Sequence, residues 1–122
     1  MARAKRHHQV LGGRGEELAV AYLQAKQLII LDRNWRCALG EVDIVAADGS
    51  TLVMCEVKTR SSQRFGSPLE AITASKAIRM QRVGFAWCKH HQANASNVRF
   101  DVVSIIDPGV GQPHIEHHLN VV

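Results

Sequence analysis

Asp43, Glu56 and Lys58 form the pattern D-x12-E-x-K. Two acids at this spacing are a donor set for a hard divalent cation. Mg2+ (or Mn2+) takes oxygen ligands, usually one or two carboxylates completed by waters and an anionic ligand. A lysine beside such a cation can stabilise developing negative charge or help activate an attacking water. A bare E-x-K means much less, because a lysine that simply neutralises a glutamate on a solvated sheet face gives the same pattern. The surroundings of the three residues decide between the two readings.

Those surroundings read as a β-hairpin. Val42–Ala46 and Leu52–Lys58 are rich in β-branched residues and are separated by Asp48-Gly49, a strong hairpin signal. Side chains two apart on a strand share a face, so Glu41 points with Asp43, and Met54 with Glu56 and Lys58. A two-residue loop at Asp48-Gly49 sets Asp43 opposite Met54, whereas a four-residue loop from Asp48 to Thr51 sets it opposite Glu56. Either even-numbered loop keeps Asp43, Glu56 and Lys58 on one face. The other face then carries Val42, Ile44, Val53, Cys55 and Val57, a good core side. Two unpaired carboxylates amid apolar strands repel each other and lose hydration. A bound cation removes both costs.

Around the hairpin the chain predicts an α/β fold in the order α-β-β-β-α-β, a central mixed sheet flanked by helices. Residues 1–11 read as a flexible basic arm and 12–122 as one domain; 122 residues are too few to give two halves a core each. After the breaker cluster Gly12-Gly13-Arg14-Gly15, Glu16–Lys26 reads as an amphipathic helix, with Ala19, Tyr22 and Leu23 on its apolar face. Glu16 lies at the edge of that face and Glu17 on the polar side, so Glu16 is either aimed at the sheet or a dipole charge in the first turn. Leu28–Arg36 reads as a strand, Ser61–Pro68 as a loop, Ala71 to about His90 as the second helix, and Val98–Ile106 as a strand. The tail carries the apolar residues of a final edge strand.

Formal net charge is +4, from 15 Lys+Arg against 11 Asp+Glu. The bases cluster: Arg3, Lys5, Arg6 and Arg14 precede any acid, and Arg60, Arg64, Lys76, Arg79, Arg82 and Lys89 stand against Glu70 alone. Arg60 and Arg64, just past the E-x-K strand, are placed for phosphate contacts with Arg14 and the arm. Lys76 shares the apolar side of the second helix with Met80, Val83 and Trp87, where it either snorkels or reaches a phosphate; Arg79 lies at the edge of that side. Aromatic residues are 5% of the chain, which favours recognition of backbone and shape over base stacking. His114, His117 and His118 beside Glu116 read as solvent-facing side chains on a tail strand. Cys37, Cys55 and Cys88 are odd in number and far apart, which suits a reducing cytoplasm and argues against a disulfide scaffold. No apolar run approaches the roughly 18 residues of a membrane span.

Taken together, Gly15-Glu16-Glu17-Leu18-Ala19, Tyr22-Leu23, Asn34, Gly40-Glu41-Val42-Asp43, Glu56-Val57-Lys58-Thr59-Arg60, Gly66, Lys76 and Arg99-Phe100-Asp101-Val102-Val103 resemble the bacterial YraN family. That family is grouped with the PD-(D/E)xK, restriction-endonuclease-like nucleases and is similar in its motifs to archaeal Holliday-junction resolvases. The resemblance covers roughly Gly12 to Ile106. It implies a restriction-endonuclease-like core, with Asp43 and Glu56 as metal ligands, Lys58 as the catalytic lysine, and Glu16 as a helix-borne acid that binds metal directly or through water. The Val57 carbonyl commonly joins such a site. Val42 stands where the superfamily name has proline, Cys55 where a bulkier apolar residue is common, and Gln27 where a glycine often ends the first helix.

The resulting expectation is a cytoplasmic, Mg2+-dependent (or Mn2+-dependent) endonuclease-like protein that hydrolyses DNA phosphodiesters, selecting branched or damaged structures. A resolvase-like role would need two active sites and hence a homodimer. The alternative from another class is a non-catalytic nucleic-acid-binding or adaptor module that retains the nuclease fold.

Overall fold

β-branched runs punctuated by tight turns, with one amphipathic helix before them and one among them, assemble here into a five-stranded mixed sheet with a helix on each face. The computed structural model describes residues 2–61 and 72–122, and of residues 2–12 the backbone alone. The elements are α1 (Ala2–Ala25), β1 (Ile29–Cys37), β2 (Gly40–Asp48), β3 (Thr51–Arg60), α2 (Ala74–His90), β4 (Val98–Ile106) and β5 (His114–His118). The α/β class and the expected element order are borne out, with β5 as the tail strand. Among the described residues no helix is long and apolar enough to cross a membrane.

Strand order is β1-β2-β3-β4-β5. β1–β2, β2–β3 and β4–β5 are antiparallel, while β3–β4 is parallel, with α2 in the connection between them. The strand bearing Glu56 and Lys58 is therefore the central one. Asp48 pairs with Thr51 and Ile44 with Cys55, so Gly49-Ser50 turn the hairpin. This is the register of the longer loop, which continued one further step would set Asp43 opposite Glu56. Recorded pairing between β2 and β3 stops at Ile44↔Cys55, just short of the two acids.

Two apolar clusters hold the layers together. Ala19, Val20 and Leu23 of α1 pack on Ile44, Ala46, Val53, Cys55, Val103 and Ile105. On the other face, Val83, Trp87 and Cys88 of α2 pack with Val42, Val45, Met54 and Phe100. Val42 thus joins the α2 side rather than the side of Ile44, which corrects the strict alternation expected of that strand. A second irregularity, the register shift between Ile30 and Asp32 in β1, accompanies an anchor for α2: the Trp87 indole N–H donates to Asp32 Oδ2 at 2.8 Å.

The first helix is longer than the sequence predicts. It begins at Ala2 and runs through Gly12, Gly13 and Gly15, ahead of the start at Glu16 that the sequence predicts. Glycine inside a helix costs only about 1 kcal/mol per residue, and a helix already seated through Ala19 and Leu23 extends without a new nucleus. Gly15 has a packing reason: a Cβ there would run into the Thr59 side chain on β3, so glycine lets the start of Glu16's turn approach the sheet. Gln27, at the end of α1, has φ of 71°, in the left-handed region that favours glycine. α2 starts at Ala74, later than Ala71, because Thr73 caps it by accepting a hydrogen bond from the Lys76 N–H.

Asp101, fully buried on β4, locks the far edge of the sheet. It accepts hydrogen bonds from Arg99 Nε and Nη2 and from the Asn120 N–H, and it pairs with His117 Nε2 at 2.8 Å. Arg99 also reaches Asp48 at the β2–β3 turn, so one guanidinium ties that turn to the edge. Burial pushes the Asp101 carboxyl up, but the His117 and Arg99 hydrogen bonds, the Asn120 N–H and the Arg99 charge outweigh it and hold the group below the ordinary aspartate range. His117, expected to face solvent, is instead nearly buried, with its ring edge-on to Tyr22.

Replacing Asp101 with Ala leaves a half-buried guanidinium, an imidazole and a backbone N–H without their acceptor. Asp101→Ala should destabilise the fold by about 3–5 kcal/mol in urea unfolding. A loss under about 1 kcal/mol would show that the cluster does not hold the edge.

Candidate functional site

A cleft of about 350 Å³ opens on the α2 side of the sheet where β2 and β3 stop pairing. Asp43 and Glu41 line it from β2; Glu56, Val57 and Lys58 from β3; and Lys76 and Arg79 from α2. The E-x-K strand, the strand before it and the second helix therefore deliver three acids and three bases into one concavity.

Asp43 is mostly withdrawn from water. Its Oδ2 accepts the Val57 N–H at 2.8 Å, which fixes the carboxylate against the neighbouring strand. Burial raises its pKa to about 6; the Val57 hydrogen bond opposes the shift, and the negative charges of Glu41, Glu56 and Glu16 add to it. Asp43 thus lies in the field of all three of these glutamates. Glu56 is nearly as enclosed. Its Oε1 takes two ammonium groups, Lys76 Nζ at 3.1 Å and Lys58 Nζ at 3.5 Å, while its Oε2 is buried with no hydrogen-bond partner among the described residues. Burial lowers the pKa of both lysines. For Lys58, contact with Lys76 and the charge of Glu56 outweigh that, so Lys58 sits above the ordinary lysine range and Lys76 below it.

Glu16 and Glu17 separate as the helical wheel predicts. Glu17 is exposed and pairs with Arg33, whereas the Glu16 side chain is 14% exposed and turned inward. Its Oε2 accepts from the Asn34 amide at 3.1 Å, and its Oε1 is buried without a partner. Asn34 had no assigned role in the sequence. Its φ of 53° lies in the left-handed region that asparagine tolerates, and only the fold reveals it as the group that holds Glu16. Glu16 does not line the cleft itself; its charge nonetheless acts on Asp43.

The predicted phosphate contacts divide. Lys76 and Arg79 line the cleft. Arg14 instead pairs with the buried Asp107 at 2.8 Å. Arg60 ends β3, and its carbonyl accepts the Asp107 N–H. Arg64 lies outside the described residues. The sequence pointed to Lys76 as a snorkelling or phosphate-reaching side chain and gave no sign that its ammonium would sit on Glu56.

Do these residues suit a divalent cation? Among the described residues no three His, Cys, Asp or Glu side chains converge closely enough to hold a metal by themselves. Mg2+ does not need three: it binds through one or two carboxylates and keeps several waters. Two oxygens, Glu56 Oε2 and Glu16 Oε1, are buried and unpartnered, a costly state that a cation or its water shell would relieve. Asp43, Glu56 through Oε2, and the Val57 carbonyl would hold the ion, with Glu16 reached through water.

The raised Asp43 pKa has a consequence for stability. A carboxyl that titrates near 6 when folded and at 3.8 when unfolded favours folding below pH 3.8, an advantage lost as pH rises through 6. In metal-free protein Asp43→Asn should therefore stabilise at pH 8 by about 1–3 kcal/mol in urea unfolding, with the gain vanishing near pH 4. A destabilised Asn variant at pH 8 would contradict the assignment of a buried, uncompensated charge.

Comparison with known proteins places the chain in a wider group. Residues 15–105 match the model of a family described as "Uncharacterised protein family UPF0102". The chain is 50% identical over 112 residues to a UPF0102 protein of Arthrobacter sp. (strain FB24), covering 92% of this chain and 95% of that one. It is 52% identical to one from Paenarthrobacter aurescens, covering 92% and 93%, and 50% identical to one from Frankia alni, covering 93% and 95%. The matched stretch runs from Gly15, at the turn that carries Glu16, to Ile105 near the end of β4, and so includes the whole cleft. The chain belongs to the UPF0102 family, the YraN family that its motifs resemble.

Proposed function

We propose that this protein is a metal-dependent DNA phosphodiesterase of the PD-(D/E)xK, restriction-endonuclease-like kind, similar to Holliday-junction resolvases and acting on branched or damaged DNA. The observation that carries the reading is the pair of enclosed carboxylates, Asp43 and Glu56, in one cleft, with a buried unpartnered Glu56 oxygen and Lys58, Lys76 and Arg79 in the same lining. An acidic centre in a basic rim suits a cation-assisted reaction on a polyanion better than it suits simple charge neutralisation.

A bound Mg2+ or Mn2+ would supply Lewis acidity and a water acidic enough to attack at neutral pH. The protein's own groups do the rest. Asp43 is held by the Val57 N–H and cannot swing out of the cleft without losing that bond. Glu56 presents Oε2 inward while its Oε1 is engaged by the two lysines. Lys58, in the cleft wall beside the acids, would bind a non-bridging phosphate oxygen and stabilise charge as it grows during in-line displacement. Arg79 and Lys76 on α2 can hold a neighbouring phosphate of the strand. With few aromatic residues in the chain, selectivity comes from backbone shape, and cutting two strands of a junction would call for a second copy.

The experiment is a cleavage assay on linear, nicked and four-way DNA with Mg2+ or Mn2+. Wild-type protein should cut in metal and not in chelator. Asp43→Ala and Glu56→Ala should each lose about 100-fold or more while retaining fold and DNA affinity. Undiminished cleavage by both variants would refute the assignment. Salt-sensitive DNA binding with no cleavage under either metal would favour a binding module on the same fold.

A further inference from the structure

The position of Lys76 is unusual for a helix. It is the third residue after the Thr73 cap, where a glutamate or glutamine would complete a capping box and where a positive charge opposes the helix dipole. No acid occupies the first turn of α2 to offset it. The side chain is nevertheless drawn in to 22% exposure, with its ammonium 3.1 Å from Glu56 Oε1, nearer than that of Lys58, the lysine of the E-x-K pattern itself. Arg79, one turn further along the same helix, lines the same cleft and forms no ion pair among the described residues. A lysine at a helix start that is unfavourable for it, yet bonded to a proposed metal ligand, needs a compensating partner, and Glu56 is that partner.

We infer that Lys76 is a resident counter-ion for Glu56, held on the carboxylate oxygen beside the one left for a divalent cation, and that its charge opposes the binding of that cation to the same carboxylate. The inference rests on the metal-dependent reading of the cleft. Glu56 Oε1 has two ammonium groups on it and Oε2 has none. A cation that engages the carboxylate through both oxygens, or that repels a neighbouring ammonium, must displace Lys76 or weaken its hold. Lys58, anchored two residues away on the same strand, has less freedom to leave, whereas Lys76 reaches in from another element on a long flexible stem. The helix dipole also favours its departure toward an incoming anion at the same helix end.

The test is a calorimetric titration of Mn2+ into metal-free protein without DNA, for wild type, Lys76→Met, Lys76→Arg and Arg79→Met. Removing the competitor in Lys76→Met should tighten Mn2+ binding by about 3- to 10-fold. Lys76→Arg, which keeps a cation on Glu56, and Arg79→Met, which removes an equal charge that is not paired with it, should stay within about twofold of wild type. Equal affinity in wild type and Lys76→Met would overturn the inference and leave the metal-dependent reading standing, as would tightening in Arg79→Met as large as in Lys76→Met. Absence of Mn2+ binding by wild type and Lys76→Met alike would overturn both.

Discussion

The burial of two carboxylates at the middle of the sheet is the constraint on which the site depends. Asp43 and Glu56 line one cleft where β2 and β3 stop pairing, one on the central strand and one on its neighbour, between two apolar layers. An apolar pair at these positions would be easier to bury. The features around them offset the cost: the Val57 N–H on Asp43, two ammonium groups on Glu56, and the opening of the sheet into a cleft. What they leave uncompensated is a raised Asp43 and an unpartnered Glu56 oxygen, the two features on which the proposed cation site rests.

The rest of the fold keeps those two groups in register. Asp48↔Thr51 closure sets which residues oppose each other along the hairpin, and Arg99 ties Asp48 to the buried Asp101. Asp101 in turn gathers His117 and the Asn120 N–H, so the edge strand and the hairpin turn share one buried charge. On the far side, Asp32 accepts the Trp87 indole and fixes the helix that carries Lys76 and Arg79. Gly15 lets α1 come close enough to β3 for Glu16 to act on Asp43. Polar links between distant segments thus set the geometry, while apolar burial supplies the bulk of the driving force.

Much of this was legible in the sequence because it is local. Period-two alternation and the Asp48-Gly49 turn announced the hairpin, and the helical wheel separated Glu16 from Glu17. Loop length is not legible from a two-residue turn signal, so two registers stayed open until the pairing chose between them. The start of α1 was misread because three glycines weaken a helix signal that tertiary seating restores. The Val42 facing failed where β2 leaves its partner, since alternation holds only in regular pairing. Asp101 with His117, Asn34 with Glu16, and Lys76 with Glu56 join residues 16 to 20 positions apart, and nothing in local pattern reports such contacts.

The most direct test of the account is the position of a bound ion. In a crystal of the protein soaked in Mn2+, anomalous diffraction should give a peak about 2.0–2.3 Å from an Asp43 oxygen and from Glu56 Oε2, with the Val57 carbonyl and waters completing the shell. A saturated crystal with no peak in the cleft, or with its only strong peak elsewhere, would contradict the claim that these two carboxylates are held together for a cation.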